Sequence, residues 1–153
     1  MDFPANAESG RKMVAESQPP SISSRIMFQG HDFYEPQPIT GADVYLLRMI
    51  LHDWPNAEAV KILKNLVVAM DAKSRIIIMD TVLPKPGSVP VSVERIARAR
   101  DMTMLQAFNS KERDLDDWKE LLMATEEGLD LVSVTQPPGS ALSVLEIKLR
   151  SRQ

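Results

Sequence analysis

Cysteine is entirely lacking from the sequence, which excludes disulfide bonds, thiolate metal sites and a cysteine nucleophile. Histidine is scarce as well. The sequence has 2 histidines, which are too few for a three-histidine zinc centre. Long apolar runs are also lacking: the first residues contain no signal-peptide core, and Arg48 and His52 interrupt the longest apolar segment. From these absences we expect a cytoplasmic protein that holds no metal ion.

The sequence has no large excess of charge of one sign. With 18 basic and 21 acidic residues the net charge is -3, which gives no electrostatic reason to expect nucleic acid or an anionic membrane as a partner. Hydrophobic residues make up 44% of the 153 positions and charged residues 25%, the balance of a soluble globular protein. That length is typical of one domain with a substantial core.

Glycine is sparse and scattered. The 6 glycines form no phosphate-cradling cluster, and the sequence contains no G-x-G-x-x-G, P-loop or G-x-S-x-G motif. Because a dinucleotide fingerprint is absent, the sequence argues against an NAD-dependent oxidoreductase.

Apolar periodicity predicts helices that alternate with strands. The helices are expected over residues 6–17, 56–71, 91–108 and 115–125, the last with Asp114 as its N-cap. The strands are expected over residues 25–29, 44–47, 75–82, 129–135 and 142–149. We therefore expect an α/β fold with a mainly parallel sheet, whose strand at 44–47 is covered on both faces, closed by a C-terminal antiparallel hairpin.

Ligands of such sheets bind outside the carboxyl ends of the strands. Asp2, Asp32 and Asp80 fall at or near such ends, and His52 with Asp53 follows the strand at 44–47. A histidine with a pKa of about 6.5 can act as a general base near neutral pH. From spacing alone, a capping arrangement for the His-Asp pair and ordinary loop positions for the carboxylates remain open alternatives.

Three ordered segments resemble blocks of the plant- and fungal-type secondary-metabolite O-methyltransferases, S-adenosylmethionine-dependent enzymes that include caffeate and flavonoid O-methyltransferases. The segments are ADVYLLRMILHDWPNAEAVKILKNL, SRIIIMDTVLP and RDMTMLQAFNSKERDLDDWKELL. Three blocks in the family's order are far more specific than one motif. The resemblance covers nearly the whole chain and implies a class I methyltransferase, Rossmann-like, fold.

The resemblance implies a catalytic role for three residues. His52 matches the family's catalytic base, and Asp80 and Glu112 match the acidic residues that flank and orient it. It also implies S-adenosylmethionine as cofactor and a small hydroxylated molecule, aromatic or polyketide-type, as the methyl acceptor. The remaining matches are Asp2 for the cofactor ribose, Asp32 and Phe33 for its adenine, Arg48 where many relatives carry a lysine near the cofactor, and Met104 and Asn109 for the acceptor.

The 153 residues contain no counterpart of two parts of the family pattern, namely the helical dimerisation domain and the first strand with its D-x-G-x-G-type loop. We therefore expect residues 1–153 to form a partial catalytic domain. Loss of a mid-sheet strand exposes backbone edges, so we expect an unstable chain or one that pairs with another polypeptide. The alternative to an O-methyltransferase is a truncated, non-catalytic relative that binds a full-length methyltransferase.

Overall fold

The computed structural model describes residues 4–125 and 128–150. Its helices are α1 Pro4–Ser17, α2 Pro20–Ser23, α3 Asn56–Val67, α4 Val91–Phe108 and α5 Leu115–Met123, with a 3₁₀ turn at Leu51–Asp53. Its strands are β1 Val44–Arg48, β2 Arg75–Asp80, β3 Val82–Leu83, β4 Arg113–Asp114, β5 Leu129–Thr135 and β6 Ser143–Leu149. In this part of the chain, no helix is both long and apolar enough to span a bilayer.

The main sheet has four strands in the order β1-β2-β6-β5. Strands β1 and β2 are parallel, whereas β2 with β6 and β6 with β5 are antiparallel. The expected C-terminal antiparallel hairpin is therefore confirmed. The expectation of a mainly parallel sheet is wrong for the described residues, because the hairpin places β6 directly beside β2 and so adds two antiparallel ladders.

Strand β1 is covered on one face, not on two as its apolar sequence predicted. Tyr45 is buried in the core, while Val44 and Leu46 are 54% and 57% exposed. Successive side chains of a strand point to opposite faces, so only the Tyr45 face meets the core. That core joins buried residues of the sheet with those of α3 and α5, among them Leu63, Ile76, Trp118 and Leu145.

The strand expected at residues 25–29 is not formed. Ile26 and Met27 are 43% and 84% exposed, and the segment pairs with no strand among the described residues. β-propensity depends on cross-strand partners, so an unpaired segment does not become a strand. Instead the ring of Phe28 packs over Gly10 of α1, where an added Cβ would lie 2.5 Å from the ring.

The helices follow the sequence pattern closely. Helix α4 has the predicted bounds, and Asp114 caps α5 in a reciprocal capping box with Asp117. Helix α3 ends at Val67, earlier than the predicted residue 71, because a tight turn follows it. In that turn the carboxylate of Asp71 accepts hydrogen bonds from the amides of Lys73 and Ser74.

Two strand pairings bring separate parts of the chain to one edge. Strands β1 and β2 are parallel, so their carboxyl ends meet at the same side of the sheet. The short strands β3 and β4 are also parallel, with Val82 opposite Arg113. The predicted strand 75–82 is therefore two strands, since β2 ends at Asp80 and β3 leaves the sheet to pair with β4.

Candidate active site

His52 is presented by the 3₁₀ turn that follows β1. The chain leaves β1 through Met49, whose φ of 52° is uncommon for a residue with a side chain. The amide of Met49 still bonds to the carbonyl of Met79 at 2.9 Å, so the turn starts in register with β2. Leu51 is completely buried and anchors the turn, and His52 itself is only 6% exposed.

Asp80 and Glu112 converge because of the β3–β4 pairing. Asp80 is the last residue of β2, just before β3, and Glu112 directly precedes β4. Since Val82 lies opposite Arg113, the residues before these two strands are also neighbours. Both carboxylates are buried, Asp80 completely and Glu112 to within 3%. Distant sequence positions therefore form one buried acidic pair next to the turn.

The imidazole of His52 meets both carboxylates through one nitrogen. Its Nδ1 lies 3.3 Å from Oε1 of Glu112 and 3.4 Å from Oδ1 of Asp80. The backbone amide of His52 donates to Oδ2 of Asp80 at 3.3 Å. Two acceptors at Nδ1 favour a proton on that nitrogen, which leaves Nε2 as the basic nitrogen in the neutral ring.

Asp53 lies on the other side of the ring. Its Oδ1 is 3.4 Å from Nε2 of His52, and its side chain is 34% exposed. The Nε2 side of the imidazole is therefore the side that approaches solvent, whereas the Nδ1 side is closed by buried groups. A ligand that exchanges a proton with His52 would meet Nε2 and Asp53 together.

The carboxylates around the imidazole of His52 raise its pKa and so make it a stronger base. The hydrogen bond with Glu112 raises the pKa of His52, and the charges of Asp80, Glu112 and Asp53 add to this against the effect of burial. Burial raises the pKa of Asp80 to about 6, although the charge of His52 opposes that shift. Burial also raises the pKa of Asp53. His52 and Asp80 can therefore hold and release protons near neutral pH.

The three buried groups also form a set of potential metal ligands. One ligand atom from each of His52, Asp80 and Glu112 lies within 4.8 Å of the others, and Oε2 of Glu112 has no hydrogen-bond partner among the described residues. However, Nδ1 lies at hydrogen-bonding distance from both carboxylates, as expected for a ring that carries a proton on this nitrogen. A metal bound at about 2.0–2.2 Å would have to displace the Nδ1 proton.

Sequence reasoning missed two residues that support the cluster. Arg113 is 1% exposed and donates hydrogen bonds to backbone carbonyls of the segment that carries His52. Asp101 of α4 accepts a hydrogen bond from the amide of Glu112 at 3.0 Å. The signal for Arg113 was its position beside Glu112 in the quoted block, but no sequence pattern shows which way its side chain points.

Part of the expected cofactor site lies near the 3₁₀ turn. The ring of Phe33 packs edge-on against Trp54, with centroids 5.5 Å apart, and so adjoins the segment after His52. Asp32 is exposed, and its Oδ1 accepts the amide of Tyr34 at 2.9 Å. Arg48 is exposed at the end of β1, the strand that leads into the turn. Asp2 lies outside the described residues.

The two expected acceptor contacts lie on α4 and at its end. Met104 is half-buried on the helix, which packs against the 3₁₀ turn. Asn109 is the C-cap of α4, with a left-handed φ of 51°, and its side chain is exposed. The helix therefore connects the expected acceptor residues with the segment that leads to Glu112.

A model of the O-methyltransferase domain matches residues 2–128. The chain belongs to this family. It is similar to the O-methyltransferase pgmB of Aspergillus terreus, with 65% identity over 152 residues that make up 99% of this chain and 34% of pgmB. The chain thus spans about a third of that relative's length.

Two solved structures extend the likeness to the fold. LepI in complex with SAM is 34% identical with a TM-score of 0.80, over 97% of this chain and 35% of LepI. OxaC in complex with sinefungin and meleagrin is 30% identical with a TM-score of 0.79, over 97% of this chain and 35% of OxaC. Both comparisons support a Rossmann-like methyltransferase fold for this chain.

Proposed function

We propose that the chain is part of the catalytic domain of an S-adenosylmethionine-dependent O-methyltransferase in which His52 is the general base. The main support for this proposal is the contact of one imidazole nitrogen with two buried carboxylates, at 3.3 and 3.4 Å. This contact orients the ring, stabilises the imidazolium that forms, and leaves Nε2 to take a proton. The acceptor is a small molecule with a hydroxyl group, aromatic or polyketide-type.

The proposed chemistry needs a base because phenols have a pKa of about 10 and are weak nucleophiles when protonated. The cofactor supplies an electrophilic methyl group on a sulfonium sulfur. Nε2 of His52 would accept the proton of the acceptor hydroxyl, so that the oxygen could take up the methyl group that the bound cofactor would supply. The carboxyl groups of Asp80 and Glu112 lie at Nδ1 and stabilise the positive charge that develops on the ring.

The chain's residues fit the chemistry of this cofactor. Asp32 offers an exposed carboxylate, an acceptor for hydroxyl or amino hydrogens, beside the aromatic ring of Phe33. Arg48 offers an exposed guanidinium suited to a carboxylate group. The related LepI was solved with SAM and OxaC with sinefungin, which supports a site of the same kind in this chain.

The proposed acceptor class depends on α4 and on the relatives. Met104 offers apolar contact and Asn109 an exposed amide, a pairing suited to an aromatic molecule with hydroxyl or carbonyl groups. The OxaC structure contains meleagrin, and pgmB is a fungal O-methyltransferase. We therefore infer a fungal-type secondary metabolite as the acceptor.

One observation favours a second function, a non-catalytic chain that binds a full-length methyltransferase. None of the 18 residues of α4, all within the described part of the chain, is buried. Ile96 and Met102 are 60% and 63% exposed, a surface that another polypeptide could cover. A binding-only chain, however, has no need for a buried histidine with two carboxylates, so catalysis is the stronger proposal.

The first test is calorimetric titration of the purified protein with S-adenosylmethionine and its demethylated product. We expect micromolar binding that is lost in Asp32→Ala and retained in Asp43→Ala, an exposed aspartate at the opposite end of β1. Absence of binding by a folded sample would contradict methyl transfer by this chain and favour the partner-binding function.

The second test is transfer of a labelled methyl group to a panel of hydroxylated aromatic compounds. We expect His52→Gln to lower kcat by on the order of 100- to 10,000-fold, the usual contribution of a general base. His31→Gln is the matched control, since it removes the only other histidine. Equal activity of the two variants would show that His52 is not the base.

A further inference from the structure

Arg113 is a buried cation whose hydrogen bonds are directed at the backbone around His52. Its side chain is 1% exposed. Nη1 donates to the carbonyl of Leu51 at 2.7 Å, and Nη2 donates to the carbonyl of Trp54 at 2.8 Å. Nη2 and Nε also donate to Oδ1 of Asn56 at 2.9 and 3.1 Å. One guanidinium thus joins three points along the segment that contains the base.

The 3₁₀ turn has only weak hydrogen bonds of its own. The amide of Asp53 donates to the carbonyl of Ile50 at 3.2 Å, and the amide of Trp54 donates to the carbonyl of Leu51 at 3.3 Å. Both distances are longer than the usual N–H···O separation of about 2.9–3.0 Å. The bonds from Arg113 are shorter and charge-assisted, so they are the stronger restraint on the turn.

Glu112 and Arg113 contact the same histidine segment in two different ways. Glu112 meets the imidazole ring of His52, whereas Arg113 meets the carbonyls on either side of that residue. Arg113 is in turn fixed by strand pairing with Val82 and by the indole of Trp118, 5.4 Å from the guanidinium carbon. The ring and its backbone are therefore held from one short segment.

We propose that Arg113 is a positioning residue, which holds the 3₁₀ turn so that the imidazole of His52 meets Glu112 and Asp80. The bonds to Leu51 and Trp54 set the separation of the two ends of the turn, and the bonds to Asn56 set its distance from α3. The consequence for the reaction rate rests on the proposed methyl transfer; the consequence for the geometry of His52 does not.

Two other roles for Arg113 predict different results. If Arg113 acted only through its charge, its removal would take a cation away from Asp80 and Glu112 and would raise the pKa of His52. If Arg113 served only general stability, its removal would lower the unfolding temperature and leave the pKa of His52 unchanged in the folded protein. If Arg113 positions the ring, its removal separates the ring from the carboxylates and lowers that pKa towards about 6.5.

The experiment is ¹⁵N NMR titration of the histidine rings in the purified protein. The variants are Arg113→Met, Arg113→Lys and Asn56→Ala, and Asn56 is exposed, so its replacement tests the same restraint even where an Arg113 variant does not fold. Arg75→Met is the matched control, because Arg75 also donates to backbone carbonyls, those of Lys73 and Ser74, far from the 3₁₀ turn.

We expect a lower pKa of His52 in Arg113→Met, a smaller decrease in Asn56→Ala, partial recovery in Arg113→Lys and no change in Arg75→Met. An unchanged or raised pKa in Asn56→Ala and in any folded Arg113 variant would overturn the proposal.

Methyl transfer is the second readout. We expect kcat to fall on the order of 100-fold in Arg113→Met with KM for the methyl donor nearly unchanged, since a displacement of about 1 Å has effects of that size. A lowered pKa of His52 without methyl transfer by the native protein would support the positioning role and contradict the proposed function. An unchanged pKa together with full activity would contradict the positioning role alone.

Discussion

Asp80 contacts His52 twice, because Oδ2 accepts the backbone amide at 3.3 Å while Oδ1 lies 3.4 Å from Nδ1 of the imidazole. One carboxylate thus restrains both the backbone position of the histidine and the orientation of its ring. Glu112 adds a second acceptor at the same nitrogen, 3.3 Å away. This double restraint distinguishes the cluster from a simple capping interaction and leads to the following predictions.

The pKa of His52 should fall when a neighbouring carboxylate is neutralised. We expect the largest decrease in Glu112→Gln, which removes the buried carboxyl group that is hydrogen-bonded to the ring, and a smaller one in Asp80→Asn. Asp53→Asn should have the smallest effect, because the Asp53 side chain is 34% exposed and its charge is screened by solvent. NMR titration of the ring nitrogens gives these values.

The control for that titration is Asp130→Asn, which changes a carboxylate paired with Arg150 on the far hairpin. The signal of His31 serves as an internal reference in every sample. An unchanged pKa of His52 in both Glu112→Gln and Asp80→Asn would show that the imidazole does not meet these carboxylates in solution.

Stability should decrease as the pH rises from about 4 to about 6, because burial raises the pKa of Asp80 from 3.8 to about 6. Between pH 3.8 and pH 6 the folded protein binds more protons than the unfolded chain. The free-energy cost of burying the charge of Asp80 is therefore absent below pH 3.8 and complete above pH 6. We expect Asp80→Asn to remove up to about 3 kcal/mol of this decrease. Urea unfolding across the pH range measures it.

Asp71→Asn provides a comparison of opposite sign. Backbone amides of Lys73 and Ser74 lower the pKa of Asp71, so its contribution is present above 3.8 and lost as the pH falls through the folded pKa. Replacement of Asp80 should therefore change the pH dependence of stability in one direction, and replacement of Asp71 should change it in the opposite direction. Identical pH profiles for the native protein and Asp80→Asn would contradict burial of an ionisable Asp80.

Chelation should leave the protein unchanged, since the 3.3 and 3.4 Å contacts of Nδ1 are those of a protonated nitrogen with two carboxylates. We expect EDTA to alter neither the unfolding transition nor methyl transfer. Elemental analysis of the purified protein checks the same point directly. Stoichiometric zinc or another divalent metal, lost in His52→Gln but kept in His31→Gln, would show instead that the cluster is a metal centre.

Asp114→Ala should destabilise the protein by about 1 kcal/mol, the usual effect of removing an N-cap. The carboxylate of Asp114 accepts the amides of Asp116 and Asp117 at the start of α5. Asp116→Ala is the control, because Asp116 is exposed and caps no helix. Equal losses for the two variants in denaturant unfolding would contradict the capping role.

The helices and most strands could be predicted from the sequence because their causes are local. The spacing of Val60 and Leu63 indicated α3, Asp114 indicated the start of α5, and the turn-rich segment at residues 136–140 indicated the antiparallel hairpin. The prediction of a strand at residues 25–29 was wrong for the opposite reason. A strand depends on a neighbour, and local propensity carries no information about one.

The residues of the candidate site could be named from the sequence through its resemblance to a family, and their arrangement could not. Sequence alone determined the residue types available, among them two histidines that are each followed by an aspartate, and a few acidic residues near strand ends. Only the tertiary structure decided that the β3–β4 pairing brings Glu112 and Asp80 to the same nitrogen of His52, and that Arg113 turns towards the backbone of that segment. The physical reason is that helix periodicity and capping act within a few residues, whereas strand pairing and the burial of charge depend on which distant segments become neighbours.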